Sequence, residues 1–181
     1  MTRDRESVSV KRGDVRVETE IGGVVNGHIV VGIDGSESSC EALAWAAEYA
    51  RMTGSVLEAV YAWLPPTVAF AVPLFVDLAP LERESKRLPR KIVEQVLGDD
   101  PDVDVIARTA RGNAAEVLVK ASKHAELLVV GSLGLGGLKG MMLGSVGHHC
   151  AAHSHCPVVI VHHEHKHARP PRRKGMAATP A

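Results

Sequence analysis

The sequence predicts an α/β protein: a doubly wound, five-stranded parallel sheet with helices on both faces. Three observations carry that prediction. Five short apolar runs recur along the chain, at Ile29–Asp34, Val56–Trp63, Asp102–Thr109, Leu127–Val130 and Pro157–Val161. Segments of helical periodicity alternate with them, the arrangement that gives a parallel sheet. The first run, Ile29-Val30-Val31-Gly32-Ile33-Asp34, has no polar alternation and suits a strand covered on both faces.

In chain order, residues 1–26 are polar, charged and without steady periodicity, and they read as a flexible N-terminal extension. Val15, Val17, Thr19 and Ile21 alternate, a pattern that would suit a short accessory strand. The folded domain spans residues 27–163. After the first strand comes the turn Gly35-Ser36, then a helix over Ser38–Thr53 with Ala42, Leu43, Ala46, Ala47 and Ala50 on one face and Gly54 as its stop. The second strand leads into a proline-marked connector, Leu64 to Pro80. A charged amphipathic helix follows over Leu81–Leu97, and Pro89 inside it predicts a kink or a late start. Asn113, with Glu116 three residues on, resembles a capping box opening the helix Ala114–His124. Residues 164–181 are histidine-rich, then basic, then small and polar, and read as a disordered tail.

The stretch between the fourth and fifth strands is where chemistry is expected. Gly131, Gly134, Gly136, Gly137, Gly140 and Gly144 follow an apolar strand, and a helix begins at Gly144-Ser145. Strand, glycine loop and helix start make an anion cradle. Glycine lets backbone N–H groups approach an oxyanion closely, and the helix N-terminus adds partial positive charge. A P-loop is excluded by residue type, since no Gly-Lys-Ser/Thr occurs in the chain. The dinucleotide fingerprint fails too, because Lys139 takes the place of its third glycine and the loop follows the fourth strand.

The spacing that remains is Gly131-x2-Gly134-x9-Gly144-Ser145. Together with Val31-Gly32-Ile33-Asp34-Gly35-Ser36, Tyr61-Ala62-Trp63 and Cys156-Pro157-Val158-Val159, it resembles the ATP-binding members of the universal stress protein family. The resemblance covers roughly Gly27 to His163. It implies strand order 3-2-1-4-5, which puts the first and fourth strands side by side, with a ligand crevice where strand order reverses. It implies ATP, with or without magnesium, as the ligand. Asp34 would face the nucleotide, Ala62 would offer its backbone to adenine, and Gly131, Gly134, Gly144 and Ser145 would line ribose and phosphates. It also implies a homodimer through the last strand, Pro157 to Val161, whose edge would otherwise be left unpaired.

Composition bounds the rest. A formal net charge of zero and 3% aromatic residues argue against nucleic acid as a partner. Neither a membrane span nor an apolar signal-peptide core is present in the sequence. Three cysteines do not suggest a disulfide framework, so a reduced, cytoplasmic protein is expected. From Gly131 to Ala152 there is no Asp or Glu, so no catalytic residue is assigned: efficient phosphoryl transfer would need an acid for metal and water near the γ-phosphate. The expected function is a nucleotide-gated regulatory protein of the stress response acting on an unknown client protein. The alternative is a metal-binding or metal-sensing module using His148, His149, Cys150, His153, His155 and Cys156. Adjacent histidines point to different helix faces, and no metal ligand is assigned.

Overall fold

The computed structural model describes residues 16–18, 27–64, 79–99, 101–137 and 142–163. Its elements in order are β1 (Arg16–Glu18), β2 (His28–Gly32), α1 (Glu37–Thr53), β3 (Val56–Trp63), α2 (Ala79–Leu97), β4 (Val105–Arg111), α3 (Ala114–Ala121), β5 (Leu127–Gly131), α4 (Ser145–His153) and β6 (Val158–Val161). All strand pairings are parallel, and the sheet order is β1-β4-β3-β2-β5-β6. The five strands expected from the sequence therefore stand in the order 3-2-1-4-5. A sixth, three-residue strand, Arg16–Glu18, pairs with β4 outside them, within the stretch whose alternation suited an accessory strand.

Strands β2 to β6 divide their residues between two cores with period two. Ile29, Val31, Leu57, Ala59, Val105, Ala107, Leu127 and Val129 face α1 and α2. Val30, Val60, Leu128 and Val130 face α3 and α4. Both faces are covered, which is why β2 and β5 carry unbroken apolar runs. Leu43 and Leu57 are fully buried, and removal of each from water contributes about 2 kcal/mol.

Several boundaries differ from the sequence reading, and three of them bear on the packing. First, α2 starts at Ala79 instead of late, and Pro89 lies buried inside it. Proline has no N–H to give the Ser85 carbonyl, but the Thr109 hydroxyl on β4 donates to that oxygen at 2.8 Å. Second, β4 runs Val105–Arg111, not Asp102–Thr109, because its last residues pair with the end of β3: Ala62 with Ala110 and Trp63 with Arg111. Third, the helix expected over Ala114–His124 becomes α3 followed by a 3-10 turn at Ser122–His124. Gly54 ends α1 at φ 68° as expected. Residues 65–78 of the proline-marked connector and the tail from 164 lie outside the described residues.

A cluster of polar side chains sits within the sheet. The Glu58 carboxylate on β3 accepts from Arg108 on β4 and from His28 Nε2 on β2 at 2.9 Å. Burial alone would raise the Glu58 pKa. The His28 hydrogen bond and the Arg108 charge outweigh it and hold the carboxyl below its usual value.

Candidate functional site

A cavity of about 380 Å³ opens beyond the C-terminal ends of β2, β3 and β5, beside the start of α4. This is the point where strand order reverses, since β3 and β5 flank β2 on opposite sides. All six residues singled out in the sequence, Asp34, Ala62, Gly131, Gly134, Gly144 and Ser145, line it. Gly136 and Gly137 line it too, although the sequence distinguished them from mere loop positions in no way.

Two strand-to-helix turns build the walls. In the first, Asp34 Oδ1 accepts from the Ser36 N–H at 2.9 Å and the Ser36 hydroxyl at 2.6 Å. Its Oδ2 accepts from the Leu135 N–H at 2.9 Å, which ties the first turn to the glycine loop. Burial raises the Asp34 pKa, but these hydrogen bonds from Ser36 and Leu135 more than offset it, so the carboxyl stays ionised below its usual range. In the second turn, Gly144 N–H donates to the Ser132 carbonyl at 2.7 Å and Gly137 N–H to the Gly134 carbonyl at 2.9 Å. The Ser38 hydroxyl donates to the Leu133 carbonyl and closes the two turns onto one another.

The glycines are not equivalent. A Cβ on Gly131 would lie 2.8 Å from the Ser38 carbonyl carbon and 2.9 Å from its oxygen, so glycine there lets β5 approach the first turn of α1. A Cβ on Gly134 would meet Asp34 Oδ2 at 2.6 Å. At Gly144 the nearest atom, Ser132 O, is 3.5 Å away, so packing does not demand glycine there.

The helix starts differ in the same way. At α1 the Ser36 hydroxyl accepts from Ser39 N–H at 3.3 Å, and at α3 Asn113 Oδ1 accepts from Ala115 N–H at 2.9 Å. The start of α4, with Gly144 as its cap residue, has no side-chain cap. Its first turn faces the cavity with Ser145, Val146 and Gly147, leaving backbone donors and positive helix-end potential available to an anion. Asp34 is the one charged side chain among the described lining residues.

Sequence reasoning missed Ser39, Leu118 and Gly147 in this wall. Ser39 accepts at its hydroxyl from the Gly35 N–H at 3.1 Å, and its place in the first turn of α1, five residues after Asp34, was the signal available. Leu118 packs against Gly32 at the site: a Cβ there would lie 2.7 Å from Leu118 Cδ1 and would push that side-chain end aside.

The histidine- and cysteine-rich run is not gathered into one cluster. Cys150 is fully buried, and burial pushes its thiol up to about 11, away from the thiolate a metal needs. Among the described residues no group of three or more His, Cys, Asp or Glu is arranged to hold a metal ion. No helix among them is long and apolar enough to cross a membrane.

Comparison with known proteins bears on the whole domain. A sequence model described as the Universal stress protein family matches residues 26–162. A universal stress protein of Mycobacterium tuberculosis is 36% identical over 141 residues, covering 75% of this chain and 48% of that protein. One of Mycolicibacterium smegmatis is 30% identical over 161 residues, covering 84% and 55%. The chain thus spans about half the length of the curated relatives it matches. Among solved structures, a universal stress protein in complex with cAMP superposes with a TM-score of 0.54 at 30% identity, over 75% of this chain and 95% of that one.

Proposed function

The chain belongs to the universal stress protein family, and from that premise we propose that its cavity binds an adenine nucleotide, ATP included, as a regulatory ligand. The observation that carries this reading is the uncapped start of α4, which opens into the cavity between Gly131, Gly134 and Gly144. Phosphate oxygens would take its backbone N–H groups and the Ser145 hydroxyl. Asp34 is an acceptor suited to ribose or adenine donors and is misplaced for phosphates. Ala62, at the end of β3, would offer backbone groups to the base. That a similar protein is described in complex with cAMP supports a nucleotide of this class.

The protein acts by gating and not by turnover. A hydrolase would place an acid to hold metal and orient water at the γ-phosphate, and Asp34, the one charged side chain among the described lining residues, is already engaged with Ser36 and Leu135. Nucleotide would order the glycine loop and alter a surface read by a client protein in a stress response. The second part of the proposal is a homodimer through β6. This strand pairs with β5 on one side, and all four of its residues are only half-buried, so a second copy would complete it.

Titration of purified full-length protein with ATP, AMP and cAMP tests the reading. Saturable, one-to-one binding of at least one of them is expected, with ATP turnover well below one per minute. No binding of any would overturn it, and brisk hydrolysis would overturn the gating role. Val159→Lys should convert the dimer to a monomer by light scattering; an unchanged mass would remove β6 as the interface.

A further inference from the structure

The run His148–Cys156 is left unused by the nucleotide reading, yet the structure brings two of its members together. His149 and His153 lie four residues apart on α4, with ring centroids 4.4 Å apart and planes tilted by 49°. Four-residue spacing puts two side chains over one another on one helix face, and His153 is exposed with His149 half-buried beside it. Cys150, between them in sequence, turns into the core. We propose that His149 and His153 form a binding site for a late divalent transition-metal ion, with water completing the coordination.

The chemistry selects that class of ion. Imidazole nitrogen suits zinc, copper and nickel, and the absence of a carboxylate or thiolate in the pair disfavours calcium, magnesium and soft monovalent ions. Two nitrogens held at about 2.0–2.1 Å from one ion are roughly 3 Å apart. Rings whose centres are 4.4 Å apart bring nitrogen atoms to that separation by small side-chain rotations. The spacing is the one by which a helical His-x3-His pair grips zinc in metalloproteases. Here the residue after the first histidine is the buried Cys150 rather than a glutamate, so the pair supplies ligands without a general base.

The site also bears on the cavity, a consequence that rests on the nucleotide reading above. Helix α4 has nine residues, and its first turn, Ser145 to Gly147, is cavity wall. A helix this short is held mainly by packing. An ion bridging His149 to His153 fixes the turn adjoining that wall, so metal and nucleotide should favour one another's binding.

The test uses full-length protein stripped with chelator and titrated with Ni²⁺ by calorimetry. Because the tail carries its own histidines, the reference protein is His165→Asn/His167→Asn, in which the α4 site should remain as a one-to-one event. Adding His149→Asn or His153→Asn to that reference should weaken the event at least tenfold, while circular dichroism shows the fold retained. Equal affinity in reference and variants would overturn the site, as would loss of all Ni²⁺ binding in the tail variant alone. In the reference protein, AMP affinity should rise about threefold at saturating Ni²⁺ and should not change with His149→Asn. An unchanged AMP affinity would overturn the coupling. Failure of AMP, ATP and cAMP to bind the metal-free wild type would overturn the nucleotide reading while leaving the Ni²⁺ result to stand by itself.

Discussion

The two turns that meet at the reversal of strand order solve the same problem in opposite ways. Between β2 and α1 the chain takes four residues, Ile33 to Ser36, and uses its donors internally: Ser36 caps the helix, and Asp34 accepts from Ser36. Between β5 and α4 it takes thirteen residues, from 132 to 144, and among those described the helix start is left without a side-chain cap. One turn is a finished structural joint, and the other is a joint with unspent backbone donors. A fold that caps α1 and α3 with side chains but leaves glycine at α4 forgoes a contact of only a few tenths of a kcal/mol, and a bound anion would take the donors left open.

The largest effect should come from forcing the two turns apart. In Gly131→Val the new side chain meets the Ser38 backbone, which cannot swing away as a side-chain end could. A loss of about 3 kcal/mol is expected from urea unfolding, and a loss under about 0.5 kcal/mol would mean β5 and α1 are not held this tightly. Gly134→Ala should act on the ligand more than on the fold. Its methyl group displaces Asp34 Oδ2, a movable carboxylate, so nucleotide affinity should fall roughly tenfold for a stability cost of about 1 kcal/mol. Equal loss at both positions would erase the distinction drawn between them.

Asp34 links the turns, and pH sharpens that point. Its carboxyl titrates below the ordinary 3.8 in the folded protein. Its contribution is therefore fully present above that value and is lost as pH falls through the lower folded one. Glu58 behaves alike below its ordinary 4.5. Thermal midpoints measured from pH 6 down to 3 should drop in wild type below about pH 4.5, and less steeply in Asp34→Asn. Parallel curves would show that Asp34 does not join the loops.

The parts legible in the sequence were those with local causes. Unbroken apolar runs marked β2 and β5 because both faces of each are covered, Gly54 marked the end of α1 by its φ of 68°, and the glycine spacing marked a cavity wall. The failures came from partners distant in sequence. Pro89 predicts a kink or a late start in α2; the helix starts at Ala79, and Thr109, twenty residues on from Pro89, takes over the Ser85 carbonyl that proline leaves without a donor. The end of β4 is set by its register against β3, which residue type does not encode. At the site, Asp34 was legible as a pocket residue. Its bond to Leu135 N–H, across 101 residues, was not, and neither was the packing of Leu118 against Gly32.

The smallest change in stability should be the most telling. Ser36→Ala removes the cap of α1 and should cost about 1 kcal/mol in unfolding free energy. Gly144→Ser does the reverse at α4: its hydroxyl can accept from the second or third N–H of the helix, as Ser36 does from Ser39. Since glycine is itself a tolerable cap residue, the gain is only a few tenths of a kcal/mol. The same hydroxyl occupies the donors that the proposed phosphate would take and adds atoms where the nearest neighbour now stands 3.5 Å away. Nucleotide affinity should fall roughly tenfold in a protein that unfolds at the same or slightly higher denaturant. If Gly144→Ser binds nucleotide as wild type does, the uncapped helix is not what receives the phosphate, and the two turns differ in length alone.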